Sequence, residues 1–218
     1  MKHRLILAVA AFLAVPSVAE SQLGLAARAG TLGVGGEAAI GVSERLVLRG
    51  GLGFSTLNPS TTFDDVEVDL TLPERWYNVG LDVYLNGATR IGAGVLLRSD
   101  DPSIIGRLGA PTDIGGQTFT PDEIGTLSGT IRSNQRAAYA LIGFGKHTDS
   151  GFGLSLDLGA AYMGDPEVTL ESEGGTYPNP SELEARLAQE AQNFEDDMKT
   201  YLRFWPILNV AVRVGFGG

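Results

Sequence analysis

The chain has 218 residues, of which 43% are hydrophobic and 19% are charged, so it has enough apolar side chains to bury a core. Its formal net charge of −10 argues against a general nucleic-acid binder, which presents a basic surface. Because it has no cysteine, a disulfide framework, a thiolate metal site and a cysteine nucleophile are all excluded.

The N-terminus has the pattern of an export signal. Lys2 and Arg4 form a basic segment, an apolar run follows over residues 5–15, and small residues occupy positions 17–19. The alternative is an N-terminal anchor, but the run is shorter than the roughly 20 residues that a spanning helix needs. We therefore expect a cleaved signal peptide over residues 1–19 and one mature domain over residues 20–218.

The mature chain alternates between apolar residues and small or polar residues, as β-strands do. In residues 208–216, for example, Leu208, Val210 and Val212 alternate with Asn209 and Ala211. The second face carries mostly glycine, alanine and isolated charges, which suit a crowded barrel interior better than a water-exposed sheet. The sequence therefore predicts a transmembrane β-barrel with its apolar face toward lipid. A soluble, lipocalin-like binder with the apolar face inside is the alternative.

Connection lengths predict the number of strands. Short turns near residues 42–45, 86–89 and 147–151 alternate with long segments at 57–74, 99–126 and 171–200. Outer-membrane barrels have short periplasmic turns and long extracellular loops. With a further tight turn at Thr31-Leu32-Gly33, the pattern predicts an up-and-down barrel of eight antiparallel strands. They lie near residues 23–31, 33–42, 45–56, 74–85, 89–99, 129–145, 151–163 and 201–216. The count is seven if residues 23–42 form one strand, but barrels of this class normally have an even number.

The last long segment contains one predicted amphipathic helix, over residues 182–198. The sequence from Ser181 to Glu184 has a capping-box pattern for its start. An apolar stripe follows at helical spacing, formed by Leu183, Leu187, Ala191, Phe194 and Met198. We expect this stripe to pack on the barrel rim or on the other long segments. A lid over the lumen and a helix that binds a partner are the alternatives.

Eight charged residues point into the barrel on these strand phases. They are Arg28, Glu37, Arg49, Asp82, Arg90, Arg98, Asp157 and Arg213. An eight-stranded barrel is just wide enough for its side chains, and unpaired buried charge is costly, so we expect an ion-pair network that plugs the lumen. The alternative is a narrow porin-like channel for small polar or anionic solutes, lined by the five arginines, with room left by inward-facing glycines.

The long segments also carry three groups of acidic residues, which we interpret as solvated surface. They are Asp64, Asp65, Glu67 and Asp69; then Asp100, Asp101, Asp113, Asp122 and Glu123; then Glu171, Glu173, Glu182, Glu184, Glu190, Glu195, Asp196 and Asp197. The first group lacks the glycine and the spacing of a calcium loop. We therefore expect no metal site.

An enzyme of the outer membrane usually places a histidine near the outer rim. The chain has two histidines: His3 lies in the predicted signal peptide and His147 lies in a predicted periplasmic turn. No histidine is then left on the outer side as a general base, and no GxSxG sequence is present. We expect no catalytic residues and no cofactor.

Three stretches of the sequence carry motifs. Residues 115–129 follow the pattern GGxTYT-x-x-EVG-x-L-x-G, residues 137–145 approximate APYLGIGxG, and residues 151–166 approximate GxxFxxDLGxxFxGxP. With the acidic helix before the last strand, they resemble a family of small proteobacterial outer-membrane barrel proteins, mostly of unassigned function. The matching positions are Gly115, Gly116, Thr118, Phe119, Thr120, Glu123, Ile124, Gly125, Leu127, Gly129, Ala137, Tyr139, Ile142, Gly143, Gly145, Asp157, Leu158, Gly159, Gly164, Pro166 and the run 28–33.

Two departures from that family matter. Ala138 stands where the strand proline is usual, and two glycines follow Phe216, on which such barrels generally end. The resemblance implies a fold and an outer-membrane location in a Gram-negative cell, and little chemistry. With that location we expect contact with outer-membrane lipid and lipopolysaccharide, insertion by the barrel assembly machinery, no nucleic-acid partner, and a monomer.

Overall fold

The computed structural model describes residues 22–55, 59–63 and 66–216, and it consists mostly of β-strands. The predicted signal peptide lies outside these residues, as do Asp64, Asp65, Gly217 and Gly218. The strands are β1 (Leu23–Gly30), β2 (Val34–Gly41), β3 (Leu46–Phe54), β4 (Ser60–Phe63), β5 (Val66–Thr71), β6 (Arg75–Asn86), β7 (Thr89–Arg98), β8 (Ser103–Leu108), β9 (Thr112–Ile114), β10 (Gln117–Phe119), β11 (Gly125–Arg132), β12 (Arg136–Phe144), β13 (Gly151–Tyr162), β14 (Glu167–Gly174) and β15 (Phe204–Phe216). The helices are α1 (Pro121–Ile124) and α2 (Pro180–Leu202).

Eight of these strands form a closed antiparallel barrel. Their order around the barrel is β1-β2-β3-β6-β7-β12-β13-β15, and β15 pairs back to β1. The register of that closing pair places Leu23 opposite Phe216. The predicted eight-stranded antiparallel barrel is therefore confirmed, and residues 23–42 form two strands. Their turn lies at 31–33, where Gly33 has a φ of 77° that favours glycine.

The two ends of the barrel differ. The turns at 42–45, 87–88 and 145–150 lie at one end, called here the short-turn end. The three long connections and the turn at 31–33 lie at the other, called the long-loop end. One predicted strand, 129–145, is wrong, because it merges β11 with β12. Apolar and polar residues alternate in the same way in β11 and in β12, which are separated by residues 133–135. The pattern therefore does not reveal that only β12 belongs to the barrel. The last strand also begins later than predicted, at Phe204, because α2 continues to Leu202.

The three long connections are folded, which the sequence did not predict. They contribute a five-stranded sheet in the order β14-β11-β8-β5-β4 and the hairpin β9–β10. With α1 and α2 these elements form a unit that we call the loop head. Strands β5 and β8 are short and interrupted by charges such as Glu67, Asp69 and Arg107, which is why their alternation is hard to recognise in the sequence.

The helix α2 packs against the loop head. Leu183 and Leu187 are buried in a cluster with Phe119 and Ile124, and Leu170 of β14 packs against the same cluster. The first half of the predicted apolar stripe therefore packs on the other long segments, whereas Phe194 is exposed. The predicted start at Ser181 is wrong. Asn179 is the N-cap, and Pro180 occupies the first helical turn, where its missing N–H costs nothing.

Several acidic residues of the loop head form local hydrogen bonds and ion pairs instead of a purely solvated surface. The carboxylate of Glu123 accepts hydrogen bonds from the backbone N–H and from the hydroxyl of Thr120. These two bonds, the backbone one most of all, lower the pKa of Glu123. A hydrogen bond from the hydroxyl of Ser60 lowers the pKa of Asp69, and Arg107 lowers it further to a smaller extent. Because both pKa values are lowered, these contacts stabilise the loop head at pH values above the ordinary carboxyl pKa. This stabilisation is lost as the pH falls through the lowered pKa values.

The outside of the barrel is apolar around its circumference. Outward-facing residues of β6, for example Val79, Leu81 and Val83, are exposed, as are Val210 and Val212 of β15. Exposed aromatic side chains occur at both ends. They are Phe54, Tyr77, Tyr162 and Phe204 at the long-loop end and Phe144, Phe152 and Phe216 at the short-turn end. Within the described part of the chain, neither helix is long and apolar enough to cross a membrane.

Candidate functional site

The interior of the barrel contains all eight charged residues that the strand phases place inward. Each is at most 9% exposed. Six of them form one network, namely Arg28, Glu37, Arg49, Asp82, Arg90 and Asp157. Arg98 and Arg213 lie nearer the two ends and bind other groups. The network therefore contains three arginines and three carboxylates, so its formal charges balance, unlike the mostly basic lining that the channel alternative assumed.

The carboxylates of Asp82 and Asp157 are the centre of this network. Arg49 lies 3.2 Å from Asp82 through its Nε and 2.7 Å from Asp157 through its Nη1. Arg90 donates to Asp82 at 2.8 Å and also to Asp157. Each carboxylate thus binds the same two guanidinium groups. This arrangement offsets the cost of taking four charges out of water.

One side of the network extends through Glu37 to Arg28. Glu37 lies 3.4 Å from Arg49 and 3.5 Å from Arg28. Arg28 also donates a 2.6 Å hydrogen bond to the side-chain oxygen of Asn78. The aromatic ring of Tyr139 lies beneath the Arg49 guanidinium, 5.9 Å from its centroid, within the range of a cation–π contact. These contacts connect five barrel strands through side chains alone.

His147 also joins the network, which no pattern in the sequence predicts. It follows β12 in the turn 145–150, as predicted, but its side chain is buried inside the barrel. Its Nε2 lies 3.2 Å from Asp82 and its Nδ1 lies 3.6 Å from Glu37. The direction of a side chain in a short turn cannot be read from strand alternation. His147 is therefore part of the barrel interior, although it lies in a turn.

The same turn lies against the short-turn end of the lumen. Arg90 donates a 2.6 Å hydrogen bond to the carbonyl of Gly145, and Arg213 donates a 2.5 Å hydrogen bond to the carbonyl of Asp149. The backbone N–H of His147 donates to the hydroxyl of Tyr84 at 2.8 Å. Inward-facing arginines therefore hold the turn against the barrel mouth, which gives Arg213 a role outside the ion-pair network.

An apolar cluster fills the lumen at the long-loop end. Trp76 is fully buried and packs against Trp205, with ring centroids 4.7 Å apart. The other members of this cluster, which we call the upper plug, are Leu32, Leu96, Ala137, Tyr139, Leu141, Ala161, Met163 and Ile207. Arg98 lies at the rim beside it, where it pairs with Asp101 and donates to the carbonyl of Ser133 at 2.9 Å.

Little free space remains between these layers. The cavity lined by Arg28, Arg49, Tyr139 and Asn209 has a volume of about 10 Å³. That volume is near the lower limit for one water molecule. Larger side chains lie over inward-facing glycines: Tyr139 lies over Gly80, and Arg90 lies over Gly143.

This packing predicts opposite effects for two glycines of adjacent strands. A β-carbon on Gly80 would meet the hydroxyl of Tyr139 and lie 2.7 Å from the carbonyl oxygen of Ala93. A β-carbon on Gly50, which faces outward, has its nearest neighbour at 3.6 Å. We expect Gly80→Ala to lower the free energy of unfolding by about 1–3 kcal/mol and Gly50→Ala to leave it nearly unchanged. Urea unfolding in lipid vesicles measures both. If Gly80→Ala changed the free energy of unfolding as little as Gly50→Ala, the lumen would have spare room.

Two solved structures from Acinetobacter baumannii share this fold. The crystal structure of CarO matches with a TM-score of 0.60 at 21% sequence identity, over 88% of this chain and 97% of CarO. The crystal structure of CarO2 matches with a TM-score of 0.66 at 17% identity, over 91% of this chain and 100% of CarO2. No family model and no curated protein matches the sequence. The likeness to these two proteins is a likeness of fold along almost the whole of each chain.

Proposed function

We propose that this chain is a small bacterial outer-membrane barrel with a closed lumen, and that its role is structural or lies in surface interactions of the loop head. The exterior supports the membrane location. Phe204 and Phe216 are the first and last residues of β15, a strand of 13 residues. At the usual strand rise and tilt they lie roughly 30 Å apart along the barrel axis. Aromatic girdles separated by an apolar band of about this height are typical of outer-membrane barrels.

In this proposal the short-turn end faces the periplasm and the loop head faces the outside. Residues 1–19 act as an export signal that is removed after Ala19. The apolar belt contacts outer-membrane lipid, the loop head lies next to lipopolysaccharide, and the barrel assembly machinery inserts the chain as a monomer. The number of strands fits, because an even number places both chain termini on the periplasmic side.

The proposal of a closed lumen rests mainly on the small size of the cavity inside the barrel, which is about 10 Å³. The upper plug lies on one side of this cavity and the turn held by Arg90 and Arg213 lies on the other. A porin-like channel would need a continuous polar path past both. We also propose no enzymatic role. His147 is buried in the ion-pair network, away from the loop head.

Cell fractionation tests the location. We expect the protein in the outer-membrane fraction, with Glu20 as its first residue by mass spectrometry, and we expect the purified protein to need detergent for solubility. A mature protein that stays soluble without detergent would overturn the membrane location and favour the soluble binder instead. Retention of residues 1–19 would overturn the cleaved signal alone.

A further inference from the structure

A groove of about 610 Å³ lies between β14 and α2 on the loop head. This volume lies in the range of ligand-binding clefts. Its floor is apolar and includes Val168, Leu170, Leu187 and Ala191. Four glutamates lie along it, namely Glu167, Glu171, Glu184 and Glu195, and no lysine or arginine is among the described residues that line it.

One wall of the groove is the edge of a sheet. Among the described residues, β14 pairs only with β11. Alternate residues of such a strand direct their N–H and C=O groups away from the neighbouring strand. The N–H of Val168 donates to the Glu195 carboxylate across the groove at 3.4 Å, so Val168 is one of these residues. Leu170 has the same phase, and its backbone groups face the same side.

We propose that this groove binds an extended, cationic, amphipathic peptide segment of another protein. The backbone of the peptide would pair with the edge of β14, as in other complexes formed by strand addition. Its apolar side chains would contact Leu170 and Ala188, which line the groove and are accessible, and its lysines or arginines would face the glutamates. Charge complementarity selects this partner, since both the groove and the whole chain, at −10, repel an acidic peptide or a second copy of the chain. The inference deepens the proposed surface role and rests on it.

The test uses the full mature protein in nanodiscs of zwitterionic lipid. The probe is a short fluorescent peptide of alternating lysine and valine, and the matched control peptide alternates glutamate and valine. Fluorescence anisotropy measures binding, and empty nanodiscs correct for binding to lipid. We expect the lysine peptide to bind, the glutamate peptide not to bind, and binding to weaken as salt is added.

Two pairs of variants locate the binding. Ala188 is exposed and lines the groove, so Ala188→Trp fills it and should weaken binding about tenfold or more. Ala185→Trp places the same bulk at an exposed position of α2 outside the groove and should have no effect. Glu171→Gln with Glu184→Gln should weaken binding several-fold, whereas Asp197→Asn, outside the groove, should not.

Three results overturn the inference: equal binding of the two peptides, unchanged binding by Ala188→Trp, or dimers in which a second copy covers the groove. Analytical ultracentrifugation of the same nanodiscs detects such dimers. The failure of the proposed function is a separate result. A barrel that conducts ions overturns the closed lumen, whereas a non-conducting barrel that does not bind the peptide overturns only the groove.

Discussion

Asp82→Ala is expected to destabilise the barrel by about 3–5 kcal/mol, because it removes one of the two buried carboxylates that Arg49 and Arg90 share. Asp82 is fully buried and lies within 3.2 Å of Arg49, Arg90 and His147. Its removal leaves the network with an excess positive charge that water does not reach. Urea unfolding of the refolded protein in lipid vesicles measures the change in the free energy of unfolding.

The matched control is Asp69→Ala on the loop head. Asp69 also pairs with an arginine, Arg107 at 3.3 Å, but both side chains are more than a third exposed. Exposed pairs of this kind contribute at most about 1 kcal/mol. The channel alternative predicts a different result for Asp82→Ala, namely altered ion selectivity with little loss of stability. That result would contradict the ion-pair plug.

Trp76→Ala should cost about 3–5 kcal/mol, because it removes the largest buried side chain of the upper plug and leaves a cavity. Trp76 and Trp205 are the only tryptophans of the chain, and their rings are 4.7 Å apart. Tryptophan fluorescence and the coupled circular-dichroism signal of the two indoles therefore report on the upper plug alone. We expect Trp76→Ala to abolish the coupled signal and Trp76→Phe to retain most of the stability.

Tyr201→Ala is the control for this prediction. Tyr201 is an aromatic residue of α2 that is 71% exposed, so its removal should change neither the stability nor the indole signal. A Trp76→Ala protein as stable as the wild type would mean that the upper plug is loosely packed or absent.

The barrel strands could be predicted because the outside of the barrel is apolar and its lumen holds polar and small residues, so alternate positions have opposite chemistry. Strands such as 75–86 and 204–216 therefore carry a regular pattern, and their phase places Asp82 and Arg213 inward. The pairing of these charges could not be predicted. Asp157 contacts Arg90 from a strand that lies 67 residues away in the sequence. The alternation of a strand shows which face a residue is on, but not which residues of other strands it meets.

The loop head, the groove, the tryptophan pair and the place of His147 could not be predicted, each for a local reason. The strands of the loop head are short and carry charged residues, so segments such as 66–71 and 103–108 look like solvated loops. The groove between β14 and α2 depends on how separate connections assemble. Trp76 lies on the inward phase beside Asn78, but a single inward tryptophan near a strand end does not reveal its partner Trp205. His147 enters the lumen through the path of a turn, which no periodicity describes.

The closed lumen is tested most directly by recording the current through the refolded mature protein in a planar lipid bilayer. The protein is first shown to be inserted and folded by its β-sheet circular dichroism and by the coupled signal of Trp76 and Trp205. We predict that it then gives no discrete openings at any applied voltage. Steady openings whose ion selectivity changes with Arg49→Ala would contradict the closed lumen and make the inward arginines part of a channel.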